Sequence, residues 1–296
     1  MILNSERNIL VIGGTGFIGS YYCKYSNNRK KIYKTSSNYK KGYIKFNLLN
    51  DTLNFEKIIE NNNIRKVVFL SAISNPQKCF ENKKLSNHIN IIYTKKIIDI
   101  LIKKKIYFIF FSSEYIFKGQ NGGYSEKTKP NPDLLYGKQK NNIEKYLDKK
   151  KSKKFAIFRI AKTVGFKKND GSIFSQFFKE QKKNRIIKIA SNQIFNPLFI
   201  MDLIKVIDFF ILNEDKGKFN VCGDFKISRF SLIKNLCKKL KIPNKRLMKV
   251  NIDFFTKYEK YPLNTSMLNN KIKRLTKINF TNQSNIINYF LKSNKI

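Results

Sequence analysis

The sequence predicts an α/β fold: a doubly wound parallel sheet with a smaller, discontinuous C-terminal lobe. Three observations predict it. Short apolar runs alternate with amphipathic helical stretches as far as Val221, a glycine-rich turn joins the first run to the first helix, and the alternation stops after Val221.

Asn8–Ile12 is a short apolar run of the kind a strand shows when helices cover both its faces. Gly13-Gly-Thr15-Gly16-Phe17-Ile18-Gly19 follows it and opens onto a helix over Phe17–Tyr25. Further strands are predicted at Lys31–Thr35, Lys66–Ser71, Tyr107–Phe111, Phe155–Arg159 and Lys218–Val221. Helices are predicted at Asn54–Asn61, Leu85–Lys103, Leu134–Lys150, Ser172–Lys183, Met201–Leu212 and Ser228–Leu240. The Lys149–Lys154 charge run suits a helix C-terminus, where the dipole favours cations. Asn244–Pro262 reads as loop and short strand. The expected division is a sheet domain over 1–160, with 193–221 returning to it, and a second lobe from 161–192 and 222–296.

The order strand, glycine turn, helix points to a dinucleotide and hence to a Rossmann-type sheet. The first glycines allow a sharp bend and a close backbone approach to a pyrophosphate. The last lets helix and strand pack closely, and the helix N-terminus then faces the phosphates. The end of the second strand reports on the cofactor. Lys34-Thr-Ser36-Ser-Asn38 contains no acid to accept a ribose 2′-hydroxyl, and Lys34, Ser36 and Lys40 can receive a 2′-phosphate, so NADP(H) is favoured over NAD(H). Ser71-Ala72-Ile73 closes the third strand and is expected beside the cofactor's ribose and nicotinamide.

Tyr136 and Lys140 stand four apart on a helix and project from one face. A tyrosine with a pKa of ~10 is a poor proton donor or acceptor at neutral pH, and a nearby ammonium lowers that pKa. Tyr107–Phe111 ends in Ser112-Ser113, hydroxyls at the sheet edge where open α/β folds bind ligands. Ser113, Tyr136 and Lys140 together make a hydride-transfer site, with Ser113 polarising a carbonyl or alcohol and Tyr136 exchanging its proton.

These residues resemble the extended short-chain dehydrogenase/reductases, and within them the dTDP-4-dehydrorhamnose reductase-like sugar-nucleotide reductases. Ser112-Ser-Glu-Tyr-Ile-Phe-Lys-Gly119 is similar to that family's Ser-Thr-Asp-Tyr-Val-Phe-x-Gly segment. Tyr124-Ser-Glu126, Pro130-Asn-Pro132 and Leu135–Lys140, with Glu144 after them, follow in the family's order. Asn192–Pro197, Met201-Asp-Leu203 and Pro262-Leu-Asn264-Thr-Ser266 resemble its later segments. The resemblance implies reduction of a nucleotide-linked 4-keto sugar, for surface polysaccharide, with Glu114, Asn196 and Asn264 at the substrate. It places Asn47-Leu48 where the family has an acidic residue at the adenine, and Asn90 as a helix asparagine supporting the active site. Three positions depart from the pattern: Ser113 for threonine, Glu114 for aspartate, and Tyr261 for the arginine before the Pro262 stretch. Nucleotide-sugar epimerases or dehydratases, and an NADP-binding regulatory subunit, resemble the same pattern and stay open, as does a homodimer.

Composition bounds the rest. With 60 Lys and Arg against 20 Asp and Glu, the formal charge is +40, yet the lysines run from Lys24 to Lys295 without gathering on one motif. Abundant Lys, Asn and Ile share AT-rich codons, and no nucleic-acid-binding signature appears, so no specific nucleic-acid partner is expected. Polyanion attraction at low salt, and attraction for a diphosphate, are expected. Cys23, Cys79, Cys222 and Cys237 fall singly, as small apolar residues do in a reducing cytoplasm. His88 is the only histidine, so neither a histidine metal cluster nor a Ser-His-Asp triad is expected. Met1 leads toward the first strand without a signal-like segment, and no apolar run reaches ~18 residues, which points to a cytoplasmic protein off the membrane.

Overall fold

The computed structural model describes residues 8–183 and 185–295, apart from the side chain of Asn244; the reading of the Met1 end lies outside the described residues. In chain order its elements are β1 (Asn8–Ile12), α1 (Phe17–Tyr25), β2 (Ile32–Ser36), β3 (Ile44–Lys45), α2 (Phe55–Asn61), β4 (Ile64–Phe69), α3 (Pro76–Glu81) and α4 (Lys83–Asn87). A π-helical stretch, His88–Tyr93, leads into α5 (Thr94–Lys103), β5 (Tyr107–Ser113), α6 (Leu135–Asp148) and β6 (Phe155–Ile160). Then come β7 (Thr163–Val164), α7 (Ile173–Gln181), β8 (Ile187–Ala190), β9 (Ile194–Phe195), β10 (Leu198–Phe199), α8 (Ile200–Asn213) and β11 (Gly217–Val221). The chain ends with β12 (Ile227–Ser228), α9 (Arg229–Lys239), β13 (Leu247–Val250), α10 (Asn270–Thr276) and α11 (Gln283–Ser293).

The chain divides into two compact units. The first comprises Met1–Ser112, Leu135–Phe158 and Ile204–Phe219. Its frame is a seven-stranded sheet in the order β11-β6-β5-β4-β1-β2-β3. β1 lies parallel to β2 and β4, with Ile9 opposite Ile32 and Val11 opposite Val68; β4 lies parallel to β5, with Phe69 opposite Phe110. β5 (Tyr-Phe-Ile-Phe-Phe-Ser-Ser) is buried along its whole length, as a central strand covered on both faces must be. Leu10, Ile12, Val67, Phe69, Phe108, Phe110, Ile143 and Leu147 form part of one continuous core, so α6 is fixed by the same apolar cluster that holds the central strands. Strand order reverses at β1, and in open α/β sheets that switch point marks the ligand crevice.

The second unit comprises Ser113–Leu134, Arg159–Leu203 and Asn220–Ile296. Three short strand pairs, β7–β10, β8–β13 and β9–β12, stand beside a ring cluster in which Phe174 and Phe178 both meet Phe290. Residues 113–134 and 193–203, expected with the sheet domain, cluster here instead. Both segments pair with the C-terminal segment: Tyr124 N–H donates to Ser266 O (3.0 Å) and Leu268 N–H to Tyr124 O (2.8 Å), while Ile194 N–H donates to Leu263 O (2.6 Å) and Thr265 N–H to Ile194 O (3.0 Å).

The predicted helix over Leu85–Lys103 is three consecutive pieces. Asn75 caps α3 by accepting from Lys78 N–H, and Asn82 caps α4 by accepting from Leu85 N–H, so each asparagine starts a new helix. α3, β3, β7, β8, β10, β12 and the two C-terminal helices go beyond what the sequence predicts, whereas β13 is the short strand expected within Asn244–Pro262.

Candidate active site

The glycine turn is built by contacts on the protein side. Gly13 has φ +92°, and a Cβ there would meet Ser71 Oγ at 2.9 Å. Gly13 N–H donates to Thr35 Oγ1 and Gly14 N–H to Thr35 O, both at 3.0 Å, which ties the turn to β2. A Cβ on Gly19 would sit 2.2 Å from Gly13 O, so this glycine exists for close packing of α1. Gly16 differs. It precedes α1 at the N-cap and is exposed with Thr15, and a Cβ there would make only an ordinary 3.4 Å contact. No protein contact requires glycine at 16, so the backbone there is left open. That opening, at the N-terminus of α1 beside the half-buried Phe17 and Ile18, fits a pyrophosphate.

Beside the turn, Ser36 ends β2 in a buried position. Tyr43, which the sequence reading passed over, gathers two cations: Lys34 Nζ lies 4.6 Å and Lys40 Nζ 4.7 Å from its ring centroid. Asn47 accepts from Leu49 N–H through Oδ1 (3.0 Å), and Asp51 accepts from Asn47 N–H (2.7 Å), so this pair shapes its own turn while Leu48 is buried. After β4, Ser71, Ala72 and Ile73 are half-buried, and Asn90 holds the Ile73 peptide at both ends: Ile73 N–H donates to Oδ1 and Nδ2 donates to Ile73 O, each 2.9 Å.

Tyr136 and Lys140 lie on the buried face of α6. Lys140 Nζ stands 4.8 Å from the Phe110 ring centroid and 5.8 Å from that of Tyr136. Burial pushes the Lys140 ammonium down to about 8, with Cys79 and Glu144 pulling the other way. Glu144 is anchored separately: it accepts from Ser112 Oγ (2.5 Å) and faces Lys218 Nζ at 3.8 Å. The Ser112 hydroxyl is thus committed to α6. Ser113, which closes β5, accepts from Tyr115 N–H at 3.2 Å through its own hydroxyl.

In the second unit, Asn196 and Asn264 use their amides to hold backbone. Asn196 accepts from Met267 N–H (2.9 Å) and donates to Phe225 O (3.2 Å). Asn264 accepts from both Ser266 N–H and Ser266 Oγ and donates to Asn121 O (3.1 Å). Glu114 is different: it is 4% exposed, Oε1 accepts from Lys162 N–H (3.2 Å), and Oε2 accepts no hydrogen bond. Burial raises its carboxyl to about 7, against the pull of the Thr265 hydroxyl, Arg229 and Lys162. Arg229, also absent from the sequence reading, is aligned by a short bond from Nε to Gln193 Oε1 and lies over Phe195 (5.8 Å). Tyr261 packs edge-on against Tyr115 at 6.0 Å. His88 Nδ1 is hydrogen-bonded to Lys84 O (2.8 Å), and among the described residues no group of three His, Cys, Asp or Glu could hold a metal ion. No helix among them is long and apolar enough to cross a membrane.

A sheet that reverses at β1, a glycine turn exposed at the N-terminus of α1, and a Tyr-x-x-x-Lys pair on α6 define a Rossmann-like α/β fold. The chain belongs to the RmlD substrate-binding domain family, whose model matches residues 7–296. Its fold is that of dTDP-4-dehydrorhamnose reductase from Bacillus anthracis, solved in complex with NADP: TM-score 0.85, 17% identity, covering 97% of this chain and 99% of that one. An ADP-L-glycero-D-manno-heptose-6-epimerase from Brachyspira hyodysenteriae is 25% identical over 258 residues, 78% of this chain and 80% of the relative. The beta subunit of methionine adenosyltransferase 2 from Xenopus laevis is 22% identical over 206 residues, 68% of this chain and 61% of the relative.

Proposed function

We propose that the protein is a cytoplasmic NADP(H)-dependent reductase of a nucleotide-linked 4-keto-deoxy sugar, serving surface polysaccharide synthesis. The observation that carries this reading is the placement of Tyr136 and Lys140 on the buried face of α6, with the Lys140 ammonium over the Tyr136 and Phe110 rings. Gly13, Gly16 and the α1 N-terminus would hold the pyrophosphate, and the Ser71–Ile73 loop the nicotinamide side. A bound dinucleotide supplies the hydride. Tyr136 then gives its proton to the substrate oxygen, Ser113 polarises that oxygen, and Lys140 favours the phenolate left behind and holds the ribose. Glu114, the substrate contact that the family resemblance implies, lies buried beside Arg229 and the Thr265 hydroxyl.

NADP(H) is the favoured cofactor because β2 ends without an acid and Tyr43 brings Lys34 and Lys40 to one ring. Two cations gathered at one aromatic ring would suit a 2′-phosphate through charge-assisted hydrogen bonds. Steady-state kinetics with each cofactor tests this: kcat/KM should be higher with NADPH than NADH, and Tyr43→Ala should narrow the gap. Equal values with the parent protein refute the preference.

The deciding experiment follows NADPH oxidation against a panel of nucleotide 4-keto sugars. Tyr136→Phe should lower turnover ~10²-fold or more with little change in NADPH affinity. Isomerisation of a nucleotide sugar without net NADPH consumption would assign the chemistry named for the Brachyspira relative. NADPH binding without turnover, plus stable association with a partner enzyme, would assign a subunit role like that named for the Xenopus relative.

A further inference from the structure

Gln139 lies between Tyr136 and Lys140 in sequence, is 1% exposed, and has no part in the chemistry above. Its carboxamide is fully engaged within the first unit. Oε1 accepts from Asn90 Nδ2 at 2.7 Å, and Nε2 donates to Ser86 Oγ and to Asn87 Oδ1, each at 2.9 Å. Asn90 is itself 2% exposed and grips the Ile73 peptide at both its N–H and its carbonyl. Ile73 O also accepts from Cys79 Sγ (3.1 Å), and Ser86 Oγ donates to Cys79 O (2.9 Å), which closes the network on α3.

Every amide orientation in this set is forced. The Ile73 N–H requires Asn90 Oδ1, which leaves Nδ2 for Ile73 O and Gln139 Oε1. That in turn leaves Gln139 Nε2 for Ser86 and Asn87. Removing one member strands buried donors or acceptors instead of merely loosening a contact. The π-helical stretch His88–Tyr93 belongs to the same device: its wider turn carries Asn90, at a place where such bulges recur in functional sites.

We infer that Gln139 is a positioning residue: through Asn90 it fixes the Ile73 peptide, and with it the Ser71–Ile73 loop, against the face of α6 that carries Tyr136 and Lys140. The functional side of this inference rests on the reading that the loop and that face receive the dinucleotide. Ordinary core packing would make Gln139 matter for stability alone. A positioning role makes the acceptor toward Asn90 matter for binding.

The test compares Gln139→Leu, which has no acceptor, with Gln139→Glu, which keeps one for Asn90 Nδ2 but loses the donors to Ser86 and Asn87. Ile73 amide exchange is read against β1 amides, and NADPH affinity is measured by calorimetry. Gln139→Leu should lower Ile73 protection and NADPH affinity about tenfold each, the cost of about one buried hydrogen bond. Gln139→Glu should restore both to within about threefold of the parent, whatever its melting temperature. If Gln139→Leu does not fold, Gln139→Asn, whose shorter amide cannot reach Asn90 and Ser86 together, takes its place. Unchanged Ile73 protection in the variant without the acceptor overturns the inference, and so does Gln139→Glu failing as badly as Gln139→Leu. A parent protein that binds no dinucleotide would instead sink the proposed function, and Ile73 exchange would still decide the clamp.

Discussion

Lys140 carries a cost that the proposed chemistry explains. Its pKa is pushed from the usual 10.5 to about 8 by burial. Between about pH 8 and 10.5 the unfolded chain therefore binds more protons than the folded one, and stability rises with pH across that window. Below about 8 the penalty for burying the ammonium is complete, on the order of 3 kcal/mol. Lys140→Met fills the same space over Phe110 without charge. It should melt higher than the parent at about pH 7, with the difference shrinking toward about pH 10, while turnover is lost. Thermal unfolding of both proteins at the two pH values checks this, and a Met variant that melts lower at pH 7 refutes it. The glycines divide by the same reasoning. Gly16→Val should leave the melting temperature close to the parent's and abolish NADPH binding, since nothing but ligand needs that space. Gly19→Val should fail to fold, because its Cβ meets Gly13 O at 2.2 Å. The sequence showed where the three glycines stand, but only the backbone shows which one has open space beside it.

At the scale of elements, what was legible followed from periodicity. β1 and α1 lie where they were read, because an apolar run, a glycine turn and a helix start are all local signals. α6 runs Leu135–Asp148 against a predicted Leu134–Lys150, again a local pattern. What escaped depends on contacts distant in sequence. Gln139 meets Ser86 and Asn90 some fifty positions away, and no spacing rule announces such a pair. α11 escaped for a different reason, since its Asn282 cap and modest apolar stripe are hard to tell from the chain's general richness in Asn and Lys. Asn196 and Asn264, which the family resemblance places at the substrate, use their amides in this structure to build the loops of the second unit. There Gly122, at φ +69°, leaves room that the Asn264 amide fills; a Cβ would fall 2.2 Å from Oδ1. Gly122→Ala should therefore destabilise the protein by about 1–3 kcal/mol through backbone strain and the displaced amide together. Denaturant unfolding gives the number, and a neutral effect would show that the 119–124 loop adjusts freely.

For the whole molecule the governing quantity is a formal charge of +40 on 296 residues. The ion pairs among the described residues are mostly at the surface: Lys150–Asp99, Lys183–Glu180 and Lys273–Asp224 are partly exposed and contribute little each. Most lysines thus face other cations more often than anions, and the folded state carries that self-repulsion. Salt screens it over a Debye length of about 10 Å at 0.1 M, so sodium chloride should raise the melting temperature, opposite to a protein held by surface ion pairs. The same field draws in phosphate-bearing ligands, so NADPH affinity should fall over the same salt series. The two trends separate global charge from the local site. Raising salt from about 0.05 to 0.5 M should weaken NADPH binding in the parent and more weakly in Lys34→Gln/Lys40→Gln, which lacks the cations at Tyr43, while both proteins gain stability alike. If the parent and the double variant show the same salt slope for binding, the pull on the cofactor comes from the chain's overall charge and Tyr43 gathers no phosphate site.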